Sequence, residues 1–122
     1  MKTVMIVDDQ LGIRLLLEEI VKSEGYQVVS AENGKQALEK ISMKKPDLLI
    51  VDFKLPIIDG HELLRQLEQQ ELQIPAILMS GMAEVAAEKI KDLKMVKEIF
   101  AKPFDIEHVR KQIHRLLDGK NS

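Results

Sequence analysis

Short apolar runs alternate with longer amphipathic stretches along the whole chain. Val4-Met5-Ile6-Val7, Val28-Val29, Leu48-Leu49-Ile50-Val51, Ala76-Ile77-Leu78-Met79 and Ile99-Phe100-Ala101 are near-continuously apolar. That pattern suits strands covered on both faces, as in a parallel sheet. Between these runs the period changes. Ile13, Leu16, Leu17, Ile20 and Val21 recur at helical spacing, leaving Leu11 and Leu15 on the solvent side. Near the end, Ile106, Val109, Ile113, Leu116 and Leu117 make a similar stripe, with Asp105 placed to cap it. Punctuation agrees: Gly25 follows the first helix, Asn33-Gly34 opens the second, and Pro46 and Pro75 precede strands. Leu55 to Gly60 is a turn-rich loop leading into the third helix. Five strand–helix units in succession predict an α/β fold, a doubly wound five-stranded parallel sheet flanked by five helices. One domain is expected over residues 1–122, with no output domain and with a polar tail at 118–122 that frays.

Composition narrows the function classes. Of the 122 residues, 45% are hydrophobic and 31% charged, a globular balance. The net charge of −2 gives no electrostatic footprint for nucleic acid or an anionic membrane. No cysteine is present, so disulfides and thiolate metal sites are excluded. Met1-Lys2-Thr3 runs directly into the first apolar segment, and no apolar stretch nears the roughly 20 residues of a spanning helix. A cytoplasmic monomer is the expectation.

The chemistry lies where the strands stop. Asp8-Asp9 follows the first run, Asp52 the third and Lys102-Pro103 the fifth. In a parallel α/β sheet, residues just past the strand ends gather in one crevice. Three carboxylates brought together repel one another and make sense around a divalent cation with oxygen ligands. A lysine from the far strand adds a point charge suited to phosphate. Asp-Asp after a strand is often only a helix cap, and a lone strand-end aspartate is often structural. The combination instead reads as a Mg2+-dependent phosphoryl-acceptor site with Asp52 as the acceptor.

With Ser80-Gly81 after the fourth strand, these elements resemble, in order and spacing, the receiver domain of bacterial two-component response regulators. The resemblance covers essentially the whole chain. Val7-Asp8-Asp9-Gln10-x-Gly12-Ile13-Arg14 and Ala101-Lys102-Pro103-Phe104-Asp105-Ile106 are similar to segments of the single-domain phosphorelay regulators of sporulating bacilli. It implies a flavodoxin-like receiver fold and Mg2+ held by Asp9, Asp52 and the backbone carbonyl of Lys54, with Asp8 acting directly or through water. Lys102 and Ser80 would contact phosphoryl oxygens, and the Lys102–Pro103 bond would be cis. The aspartate would hold the phosphoryl group as an acyl phosphate, with positioning and charge neutralisation supplying most of the catalysis. The implied partners are a histidine kinase as donor and a histidine-containing phosphotransferase as onward acceptor. Docking would use Gln10, Gly12, Ile13, Leu16, Pro103 and Phe104. The alternative is phosphorylation-dependent binding to a target protein.

Two positions depart from the pattern. Receivers usually carry an aromatic residue three before the lysine; here it is Ile99, with Phe100 pointing to the other side of the strand. That favours relay over a large surface switch. Lys54 and Met82, each two residues beyond a site residue, would crowd the phosphoryl group against water and prolong its life. His61, His108 and His114 read as solvated surface residues, and the histidine this chemistry needs comes from the partner. Rival readings are weak. A haloacid-dehalogenase-type enzyme needs a second acid where Lys54 stands. A nucleotide binder needs a glycine-rich loop where Asp8-Asp9-Gln10 stands.

Overall fold

The structure is a computed structural model that describes residues 1–119. Among these, five strands alternate with five helices: β1 (Thr3–Val7), α1 (Leu11–Ser23), β2 (Gln27–Ala31), α2 (Gly34–Met43), β3 (Leu48–Asp52), α3 (Gly60–Gln69), β4 (Ala76–Ser80), α4 (Ala83–Ile90), β5 (Val96–Ala101) and α5 (Ile106–Asp118). The strands form one sheet in the order β2-β1-β3-β4-β5, and every pair is parallel. Strand order reverses between β1 and β3, so a crevice opens at their carboxyl ends.

The pleat divides the core. Val4 and Ile6 of β1 face one side with Leu48, Ile50, Ile77, Met79 and Phe100, where α1 and α5 lay down Leu17, Ile20, Val21, Val109, Ile113 and Leu117. Met5 and Val7 face the other, with Leu49, Val51 and Leu78 against Ala37 and Ile41 of α2, Leu63, Leu64 and Leu67 of α3, and Ala86 and Ile90 of α4. The three central strands are buried at every position, whereas β2 and β5, at the edges, are only partly covered. The same alternation separates Ile99, packed towards the α2–α4 side, from Phe100 on the α1/α5 side.

Local chemistry sets the helix starts. Asn33 caps α2 by accepting from Gln36 N–H at 2.8 Å, Asp59 caps α3 through Glu62 N–H at 2.8 Å, and Asp105 caps α5 through the amides of Glu107 and His108. Gly25, at φ +89°, supplies the left-handed residue just past α1. Two expectations need correcting. Ile106, the first residue of α5, is exposed rather than part of the α5 stripe, and it packs against neither core cluster. Asp118, expected to belong to a fraying tail, instead closes α5 and accepts a 2.6 Å hydrogen bond from Tyr26. Residues 120–122 of that tail lie outside the described residues.

Candidate functional site

The carboxyl ends of β1, β3, β4 and β5 bring the acidic and basic residues together. Asp8, Asp9 and Asp52 each offer a carboxylate oxygen, and these atoms all lie within 4.8 Å of one another. Asp8 and Asp52 are buried while Asp9 stands exposed at the rim. Lys102, entering from the end of β5, places Nζ 3.2 Å from Asp52 Oδ2 and 3.3 Å from Asp8 Oδ2. The Lys102–Pro103 peptide is cis. Lys102 N–H donates to the Ser80 carbonyl at 2.9 Å, which ties the β5 end to the β4 end.

Electrostatics follow from this crowding. Burial pushes the Asp52 carboxyl above the usual carboxylate range, and the neighbouring Asp8 charge pushes it further. Lys102 and a hydrogen bond from the Lys54 backbone amide pull it back without cancelling the rise. One lysine therefore does not balance three acids. An all-oxygen, partly buried donor set with excess negative charge fits a hard divalent cation such as Mg2+.

The remaining site residues surround this centre. Ser80 is buried, and its Oγ accepts from Met82 N–H at 2.9 Å, a turn that starts α4. The side chains of Lys54 and Met82 are exposed. The residues expected to dock a partner lie on two loops and one helix start. Gln10 precedes α1, Gly12, Ile13 and Leu16 are on its first turns, and Pro103 and Phe104 follow β5. Ile13 and Phe104 pack against the same core cluster, which places these segments on one face. Leu11, Leu15 and Leu16 are exposed beside them.

Sequence reasoning missed four features. Gly60 packs directly under the acceptor: a Cβ there would lie 2.6 Å from the Asp52 carbonyl oxygen. Gly34 is similarly pressed against Ile58, whose carbonyl oxygen a Cβ there would strike. The loop after Asp52 is thus held between two glycines. Ile57, in that loop, adopts φ +71°, an unusual position for a β-branched residue. Arg14 is buried behind Asp8.

Among the histidines, His108 is exposed as expected and His114 departs from expectation. His114 is not simply solvated: it is bonded to Tyr26, Glu24 and Asp118, because the end of α5 packs against the turn between α1 and β2. The Glu24 carboxylate, followed by Asp118, raises its pKa. His108 lies edge-on to Phe100. His61 lines a recess with Asp9, Lys54 and Lys89 beside the acidic cluster. A larger recess, about 1010 Å³, lies at the opposite end of the sheet around Leu72, Pro75 and Met95, so size alone does not mark the chemistry.

A parallel sheet of this order, with three carboxylates and a lysine at its switch point, is the architecture of a phosphoryl-accepting signalling domain. Residues 4–114 match the response regulator receiver domain, and the chain belongs to that family. It is 39% identical to sporulation initiation phosphotransferase F of Bacillus subtilis over 98% of this chain and 96% of that one. It is 32% identical to the chemotaxis protein CheY of the same organism, covering 94% of this chain and 97% of that one. Among solved structures, the response regulator TrrA from Thermotoga maritima, in complex with Mg2+-BeF, superposes with a TM-score of 0.85 at 30% identity, over 96% of this chain and all of that one. Receiver domains bind Mg2+ through an aspartate cluster, and Asp8, Asp9 and Asp52 form such a group here. Among the described residues, no helix is long and apolar enough to cross a membrane.

Proposed function

We propose that this receiver takes a phosphoryl group from the phosphohistidine of a histidine kinase onto Asp52 and passes it to a histidine on a phosphotransferase. The observation that carries this reading is Lys102 Nζ, poised within 3.3 Å of both Asp8 and Asp52 at the centre of the acidic cluster. In the first step an Asp52 carboxylate oxygen forms a bond to phosphorus as the P–N bond to the donor imidazole breaks, and the imidazole leaves with the electron pair. Onward transfer reverses this with a second imidazole as nucleophile. Asp8, Asp9, Asp52 and the Lys54 carbonyl would hold Mg2+, which when bound offsets the charge of the carboxylates and the phosphoryl oxygens. Lys102 stands ready to pair with one phosphoryl oxygen, and the Ser80 hydroxyl to donate to another. The buried surroundings of Asp52 limit water at the reacting atoms.

Two findings favour relay over target binding. The chain is 39% identical to a relative whose name is that of a phosphotransferase, against 32% to the chemotaxis protein CheY. Ile99, paired with Leu78 beside Ser80, has no ring to swing between surfaces. The docking face is Gln10, Gly12, Ile13, Leu16, Pro103 and Phe104, whose partner would be a helix bundle bearing the histidine. The test is intact-protein mass after incubation with acetyl phosphate, with and without Mg2+, beside Asp52→Ala. A Mg2+-dependent gain of one phosphoryl group, absent in the variant, is expected. Phosphorylated protein mixed with a histidine phosphotransferase should then lose the group to it. A protein that keeps its phosphoryl group but gains affinity for a target would favour the binding alternative.

A further inference from the structure

One buried cation plays no part in this chemistry. The Arg14 side chain is 9% exposed, yet its guanidinium reaches none of the three clustered carboxylates. Nη1 donates to the backbone carbonyl of Asp8 at 2.8 Å, and Nη2 lies 3.5 Å from Glu32 Oε1 just past the end of β2. Asp8 is consequently held at every polar atom. Its N–H donates to the Ala31 carbonyl at 3.1 Å, Oδ1 accepts from Gln10 N–H at 2.9 Å, and Oδ2 meets Lys102. Among the described residues, no hydrogen bond reaches the Asp9 carboxylate. Its direction is set by the backbone from which it leaves. The carbonyl that Arg14 grips belongs to the planar peptide joining Asp8 to Asp9, so fixing that oxygen fixes the plane carrying the Asp9 N–Cα bond.

We propose that Arg14 is a positioning residue for the cation site: by clamping the Asp8 carbonyl it aims Asp9 towards Asp8 and Asp52. The inference rests on reading those carboxylates as the Mg2+ site. Arginine suits the task because its rigid fork spans the carbonyl and Glu32 together, whereas a lysine offers one ammonium on a flexible stem. Charge and geometry make opposite forecasts here. As a bare positive charge near the cluster, Arg14 opposes Mg2+, so its loss would tighten binding. As a clamp, its loss loosens the ligand set. Partners that orient metal ligands are worth roughly 10–100-fold in affinity.

The test is the Mg2+ dissociation constant of the unphosphorylated protein, measured by calorimetric titration for wild type, Arg14→Lys and Arg14→Met, with folding checked by circular dichroism. Methionine fills the same space without charge or donors. Weaker binding by about tenfold in both variants is expected. Unchanged affinity in the lysine variant, with tighter binding in the methionine variant, would leave only a charge effect and overturn the assignment. Unchanged affinity in both, or failure of both to fold, would make Arg14 structural and overturn it equally. Absence of Mg2+ binding in wild type itself would instead overturn the reading of the carboxylates.

Discussion

Replacing Gly60 with alanine should damage both stability and phosphorylation, although the change adds a single methyl group. Gly60 opens α3 and donates its N–H to the Phe53 carbonyl at 3.0 Å, pressing the helix start onto the chain that leaves Asp52. An alanine Cβ would lie 2.6 Å from the Asp52 carbonyl oxygen, 3.0 Å from Phe53 Cα and 3.1 Å from the Phe53 carbonyl oxygen. Ordinary contact begins at 3.4 Å, so either α3 or the acceptor strand must move by about 0.8 Å. All three opposing atoms are backbone, so no side chain can rotate away. Overpacking of this kind costs about 2 kcal/mol. With an unfolding entropy of about 2.1 cal/mol/K per residue, each kcal/mol shifts Tm by about 4 °C in a chain of this length, so a fall of about 8 °C is expected.

Gly12→Ala supplies the control. A Cβ at Gly12 meets nothing within 4 Å, and alanine is the better helix former in α1. The same substitution there should stabilise by about 0.5–1 kcal/mol, or roughly 2–4 °C. Phosphorylation from acetyl phosphate separates the two further, because Gly60→Ala displaces the acceptor itself. Misplacement near 1 Å can slow a positioned reaction about 100-fold. Scanning calorimetry and a mass-resolved phosphorylation time course read both effects. If Gly60→Ala melts within about 1 °C of wild type, the close packing beneath Asp52 does not carry the strain assigned to it.

Four more outcomes are expected. Mg2+ at 100 times its dissociation constant should stabilise the protein by about 2.7 kcal/mol, raising Tm by about 10 °C, and Asp9→Asn should remove most of that shift in a thermal titration. Protonated His114 bonds to Glu24 and Asp118, so its stabilisation is complete below the unfolded histidine pKa near 6.5 and fades as pH rises through its higher folded value. His114→Phe should therefore cost about 1 kcal/mol at pH 6 in urea unfolding and progressively less at higher pH; a cost that grows with pH would contradict this sign. Asp105→Ala removes the acceptor for two α5 amides and should lower stability by about 1 kcal/mol, measured by the urea midpoint. Lys54→Asn should speed loss of the phosphoryl group from Asp52; equal half-lives would show that the exposed Lys54 side chain does not shield it.

The residues proposed to carry the chemistry were legible because each sits where an apolar run stops. Asp8-Asp9 and Lys102 follow β1 and β5, and Asp52 and Ser80 close β3 and β4, four strands whose apolar pattern needs no long-range information to read. The central strands were clear for the same reason, while β2 and β5 run longer than their apolar cores because edge strands carry polar residues on their open sides. What stayed hidden depends on distant partners. Arg14 reads as a polar position on an amphipathic helix, and only the parallel pairing of β1 with β2, which brings Ala31 and Glu32 beside Asp8, makes it a buried residue. His114 is six positions from His108, which excludes a shared helical site, but its partner Glu24 lies 90 residues away in sequence. Gly60 looked like a turn residue, and its constraint is the carbonyl it touches rather than its own φ.

Three of the features that sequence reasoning missed, Arg14, Gly34 and Gly60, share a role that the visible residues lack. Asp52 and Lys102 pair within the cluster and the Asp9 carboxylate stands exposed at its rim, so an isosteric change such as Asp9→Asn should alter chemistry more than folding. Arg14, Gly34 and Gly60 touch backbone instead: the Asp8 carbonyl, the Ile58 carbonyl and the Asp52 carbonyl. Each therefore acts on the path of the chain immediately beside a carboxylate of the cluster or in the loop that follows it. A change there must move the main chain, and the main chain carries the carboxylates with it. Stability and phosphoryl chemistry should accordingly fall together at these three positions and separately at the acidic ones.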